Sequence, residues 1–116
     1  RGPVLFCDFH GHSRKRNVFM FGCTGASDAA ERLFPWLLSS RCADFGFESC
    51  SFKVTRSKAD AARVAVARDA MMTNSFTIEA SFAGPDQSPA AGTHLDTRRL
   101  EMVGHHFCGA MLDLID

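Results

Sequence analysis

Two short apolar runs, PVLFCDF (3–9) and NVFMFGC (17–23), stand on either side of a polar stretch, HGHSRKR (10–16). Each run is strand-length and rich in β-forming residues, and the first begins behind Pro3. The pattern reads as a buried strand, a polar connection and a second strand. This triplet constrains the fold most, because the first strand ends on His10 and His12, one residue apart, with Arg14, Lys15 and Arg16 following.

The rest of the chain fills in layers around these strands. Ser27-Asp28 reads as a helix start, from which Ala29, Ala30, Leu33, Phe34, Leu37 and Leu38 recur at helical spacing. Pro35 should kink or restart that helix. CADFGFES is irregular, with Gly46 as a breaker. CSFKVT alternates as a half-buried strand does. AARVAVARDA is compatible with helix or strand. NSFTIEASF is a clear strand, with Phe76, Ile78 and Ala80 on one face and Thr77, Glu79 and Ser81 on the other. AGPDQSPAAGTH is a loop. The last segment is an amphipathic helix capped by Asp96 or Thr97. Its stripe is Leu100, Val103, Phe107, Met111 and Leu114, widened by Met102, Ala110 and Ile115. Strands followed by helices, closing on such a helix, predict an α/β layer protein with a mixed sheet. Function in such sheets gathers at strand ends.

Composition narrows the classes. The chain has 116 residues, 46% of them hydrophobic, and a formal net charge of zero. That fits one domain or part of one, and argues against a broad nucleic-acid-binding surface. No apolar window is long enough to span a membrane, and the start lacks a signal-peptide layout. The chain opens on Arg rather than Met and enters a strand at once, so a piece of a longer protein is expected. The five cysteines include no C-x-x-C pair, which favours reduced thiols over disulfides or a cysteine-built zinc site. Cytoplasmic placement follows from that reading.

Local patterns leave the candidate residues open. His10 ends a strand and can serve as a metal ligand oriented by Asp8, or as a hydrogen-bonded structural histidine. Glu79 is either paired, used, or on a solvated face. The basic run at Arg14–Arg16 is either solvated or draws an acidic substrate. Glu101 and His105, at i, i+4, read as an exposed helix pair. His94 and His106 carry no signal. No histidine is followed three residues later by glutamate, and there is no G-x-S-x-G, P-loop or dinucleotide fingerprint.

The run FCDFHGHSRKRNVFMFGC resembles the cytosolic carboxypeptidases, the deglutamylating branch of the zinc carboxypeptidases, which carry a similar D-x-H-G-H-S-R-K run. ERLFPWLL, FESCSFKVTRSKADAARVAVARD, NSFTIEASFAG and LDTRRLEMVGHHFCGAMLDLID match in order. The resemblance covers almost the whole chain, and it implies an α/β/α sandwich on a mixed sheet, of which residues 1–116 would be the C-terminal portion of the catalytic domain. It further implies zinc as cofactor, His10 as one zinc ligand and Glu79 as catalytic glutamate. It places Arg63 on the floor of the pocket for the leaving residue, unless that arginine is permanently paired with Asp60 or Asp69. His12, Arg14 and Lys15 would line the cleft for substrate, with Gly11 allowing the chain to turn. Implied substrates are protein C-termini and side chains bearing extra glutamates, as in polyglutamylated tubulin; neither nucleic acid nor membrane is implied as a partner.

Some family features are missing. The H-x-x-E pair and the residues gripping the substrate carboxylate lie upstream of this segment in the family. There is no tyrosine, and Phe76 stands where relatives often have one. A single histidine does not make a stable zinc site. The isolated chain is therefore expected to be inactive and prone to self-association. The alternative reading is a non-catalytic half-domain that packs or self-associates.

Overall fold

Short runs rich in β-branched and aromatic residues form strands at three places along the chain. A computed structural model describes residues 3–25, 29–86 and 94–116. Strands β1 (Phe6–His12), β2 (Val18–Phe21) and β3 (Ser75–Ser81) form one sheet in the order β1-β3-β2. β1 runs parallel to β3, and β2 runs antiparallel to it, so the sheet is mixed as expected. The first two strands are close in sequence yet do not pair; the last one slots between them.

β1 is longer than its apolar run. It continues through Gly11 and His12, opposite Ala80 and Ser81. Gly11 is therefore not a turn residue. A Cβ there would run into the Phe82 ring, so glycine permits a close approach rather than a reversal. The reversal happens at Ser13–Asn17. Asn17 adopts φ 69° there, a conformation that asparagine tolerates. Its amide donates to Asp86 Oδ1 at 2.9 Å and its Oδ1 accepts from Asp86 N at 3.0 Å, which clamps the connection to the segment after β3.

One face of the sheet is the hydrophobic core. Phe76 and Ile78 of β3, and Val18 and Met20 of β2, pack there with Phe34, Leu38, Val103, Phe107 and Ala110 from two helices. The helices are α1 (Leu33–Arg41) and, at the end of the chain, α3 (Thr97–Ile115), with α2 (Ala62–Asp69) between them in sequence. Phe34 stacks on Phe76 at 5.7 Å and meets the edge of Phe107 at 5.2 Å. Burying such side chains stabilises the fold by about 1.5–3 kcal/mol each. Phe76 thus belongs to the core, on the face away from Glu79. Arg41 grips Asp113 with two bonds, 2.6 and 2.8 Å, joining α1 to α3. That bonding holds the Asp113 carboxyl below its usual range.

The helix expected from Ser27-Asp28 has a start that lies outside the described residues. A 3₁₀ turn at Ala30–Arg32 leads directly into α1, so the helix restarts before Pro35. Pro35 then occupies the first turn, where its missing N–H costs little. AARVAVARDA resolves as helix α2. CSFKVT is not a regular strand. It makes one isolated bridge, Phe21 to Ser51, beside β2, and a 3₁₀ turn at Arg56–Lys58 comes after it. Its backbone bonds go to the short end of β2, with Gly22 N donating to Ser51 O and Thr24 N to Phe52 O. Asp96 rather than Thr97 caps α3, its Oδ1 accepting from Arg99 N at 2.8 Å. The ends of the α3 stripe are open: Leu100, Met102 and Ile115 are exposed.

The loop AGPDQSPAAGTH falls partly outside the described residues. All five cysteines are free. Burial pushes the Cys7 thiol up to about 12 and the Cys50 thiol to about 11, consistent with inert packing thiols. Among the described residues no helix is long and apolar enough to cross a membrane.

Candidate active site

The second face of the sheet carries the polar residues of β1 and β3. Strand periodicity puts Asp8, His10 and His12 of β1 on it, beside Thr77, Glu79 and Ser81 of β3. β2 contributes Phe19 opposite Glu79 and Phe21 opposite Thr77. One row across the sheet therefore reads His10, Glu79, Phe19. Parallel pairing of β1 with β3 is what brings His10 and Glu79, far apart in sequence, side by side.

The β3 part of this face is covered, contrary to the solvated reading of Glu79. Thr77, Glu79 and Ser81 are all buried, Glu79 at 7% exposure. The start of α2 closes over it. Ser75 Oγ donates to the Arg63 carbonyl at 2.6 Å, pinning the first turn of α2 to β3. Between sheet and helix lies a cavity of about 140 Å³ lined by Asp8, His10, Phe21, Lys58, Arg63 and Glu79, with Ala61, Ala62 and Thr77 completing it.

Within it the histidine is held in one orientation. His10 Nε2 lies 2.8 Å from Asp8 Oδ2. An ionised carboxylate only accepts, so Nε2 is the ring nitrogen that donates to Asp8, and Nδ1 is the one turned toward Glu79. That Nδ1 lies 3.9 Å from Glu79 Oε1. The other Glu79 oxygen, Oε2, is buried and has no hydrogen-bond donor among the described residues. An unsatisfied buried oxygen of this kind costs about 1–3 kcal/mol, a cost that active sites tolerate where the atom is used.

Arg63 is 3% exposed. Its Nε donates to Gly22 O at 3.3 Å, and its guanidinium carbon lies 5.3 Å from the centre of the Phe21 ring. It makes no ion pair among the described residues; Asp69 is taken by Arg68 at 2.9 Å. The permanent pairing with Asp60 or Asp69 that the sequence allows is therefore not formed. Burial pushes the neighbouring Cys23 thiol above its usual value, against the pull of Arg63. Lys58 carries no signal in the sequence, being a lysine in a charged turn, yet it joins the cavity wall.

The remaining candidates stand apart from the cavity. His12 Nδ1 accepts from Arg14 N at 3.0 Å and from Lys15 N at 3.1 Å, which shapes the turn after β1. Its ring packs edge-on against Phe19. The Lys15 ammonium donates to Ser49 O at 3.2 Å and lies 5.0 Å over Phe19. Arg14 is exposed. Glu101 and His105 are both exposed on α3, as expected of a helix pair.

The donor set fits zinc in part. Catalytic zinc takes three protein ligands and leaves a position open. Among the described residues, no group of three His, Cys, Asp or Glu side chains converges on one point. His10 Nδ1 offers one ligand, and the orphaned Glu79 oxygen belongs to the same row. Further ligands would have to come from outside the described residues.

No family model matches the chain. Over its full length it is 43% identical to cytosolic carboxypeptidase 3 of Bos taurus and to that of Mus musculus, and it spans 12% of each. It is likewise 43% identical to cytosolic carboxypeptidase 2 of Danio rerio, spanning 17% of that protein. A metallo-carboxypeptidase from Burkholderia cenocepacia has a similar fold, with TM-score 0.75 and 19% identity; the match covers 99% of this chain and 31% of that one.

Proposed function

From a chain that belongs to the cytosolic carboxypeptidases, and spans about 12% of the relatives' length, we propose that the complete protein is a zinc metallocarboxypeptidase. It removes glutamates from protein C-termini or from glutamylated side chains, tubulin-like acidic tails being the substrate class, and it works in the cytoplasm, as its relatives' names suggest. The observation that carries the reading is the His10–Glu79 row, with Nδ1 3.9 Å from Glu79 Oε1, and Glu79 Oε2 buried without a donor among the described residues.

Each side chain has a distinct task. His10 would hold the metal through Nδ1. Zinc, when bound, supplies the Lewis acidity that acidifies water and polarises a carbonyl. Glu79 takes the proton of the attacking water on its carboxylate and returns it to the leaving amine. The covered face around Glu79 limits competing water. Arg63, buried without a carboxylate partner among the described residues, binds the side-chain carboxylate of a leaving glutamate. Lys58 adds positive charge to the same wall.

The remaining ligands would arrive on the upstream part of the protein, and the edge of β1 beside His10, unpaired among the described residues, is the place a neighbouring strand would dock. That edge, with exposed Phe9 and Leu100, also supports a second reading of the isolated chain, as a half-domain that self-associates.

The test compares the complete protein with the 116-residue chain on a glutamate-ending peptide. The complete protein is expected to release glutamate, to lose activity to a chelator and to regain it with added zinc. The isolated chain is expected to release none and to sediment as more than a monomer. Chelator-resistant hydrolysis by the complete protein would exclude a zinc enzyme. Zinc-dependent release by the isolated chain would show that its own residues suffice.

A further inference from the structure

We propose that Asp8 is a positioning residue for metal capture: it locks His10 in the Nε2–H tautomer, so that Nδ1 faces Glu79 with its lone pair free. The inference rests on the reading of His10 as a zinc ligand. It adds a residue that touches neither the metal nor the substrate.

The geometry carries it. Asp8 and His10 are two residues apart in β1, so their side chains leave the strand on the same face. The pair is close, 2.8 Å from Nε2 to Oδ2, and a contact with an ionised acceptor is stronger than a neutral one. Both residues line the same cavity as Glu79. The imidazole is half exposed, at 50%, so little packing fixes its ring. Asp8 is the close polar partner that chooses between the two ring nitrogens, since the contact to Glu79 is 3.9 Å long. A free imidazole in water spreads its proton over both nitrogens and rotates about its side-chain bonds. Holding it in the ligating form removes that cost from metal binding. Losses of such supporting carboxylates typically weaken metal affinity by ~10–100-fold.

The experiment measures zinc affinity of the complete protein by competition with a chromophoric chelator, for the parent and for Asp8→Ala, Asp8→Asn and His10→Ala. Nitrogen NMR of the zinc-free parent and the Asp8 variants reads the His10 tautomer directly. Asp8→Ala is expected to weaken zinc binding ~10–100-fold and to yield a mixture of His10 tautomers. Asp8→Asn keeps an acceptor oxygen and is expected to fall between Asp8→Ala and the parent in both readouts. If Asp8→Ala disturbs folding, Asp8→Asn alone decides. Parent-like zinc affinity and a single His10 tautomer in Asp8→Ala would overturn the proposal. His10→Ala separates the two levels: unchanged zinc binding in that variant would mean that His10 is not a ligand, whereas loss there with no change on removing Asp8 would leave the ligand assignment standing and refute the positioning role.

Discussion

Glu79→Gln in the complete protein is expected to keep about one zinc per chain and to lose turnover by roughly 10²–10⁴-fold, the size of a general acid–base contribution. The substitution preserves shape, so Phe19 and His10 keep their neighbours across the sheet. It removes only the ability to take a proton. Folding should not suffer, because a neutral amide is cheaper to bury than a carboxylate with one oxygen unpartnered. Turnover and metal content together read the result. Near-normal turnover would place the base elsewhere, and loss of zinc would make Glu79 a ligand or a structural group instead.

Arg63→Ala is the substitution expected to change which peptide is cut. In the complete protein, kcat/KM for a peptide ending in glutamate should fall far more than for one ending in leucine. Losing a buried charge pair costs ~2–5 kcal/mol, a fall of roughly 30- to 5,000-fold. Some fall on both substrates is expected, because Arg63 also bonds Gly22 O and packs over Phe21. The ratio of the two is therefore the informative quantity. Arg63→Lys, which keeps charge but loses the planar fork, should lie between. An equal fall on both peptides would make Arg63 a structural arginine of the α2 junction.

The strands and the final helix were legible because their signals are local. Alternation in NSFTIEASF put Glu79 opposite the core face, and the structure keeps that division. Whether the Glu79 face was wet could not be read locally. It depends on α2 closing over it, and AARVAVARDA has alanines that favour helix with valines that permit strand. Pairing was likewise hidden: nothing near HGHSRKR says that β3 inserts between β1 and β2. Gly11 misled because a glycine between two histidines looks like a turn, while its real constraint is the ring of Phe82. CSFKVT misled because alternation does not by itself supply a paired neighbour: only Ser51 bridges to β2. Of the basic run, Lys15 bonds Ser49 O and lies over the phenylalanines of β2, outside the cavity. Lys58 reached the cavity instead, through a turn that carries no pattern.

The most direct measurement is the zinc content of the complete protein with His10→Ala, set against the parent under identical purification, with circular dichroism to confirm that both are folded. About one zinc per chain in the parent and a fraction of that in the folded variant is the predicted result, since one of the three ligands expected at a catalytic site would be gone. A folded His10→Ala protein that still carries a full zinc would contradict the assignment of this strand end to the metal.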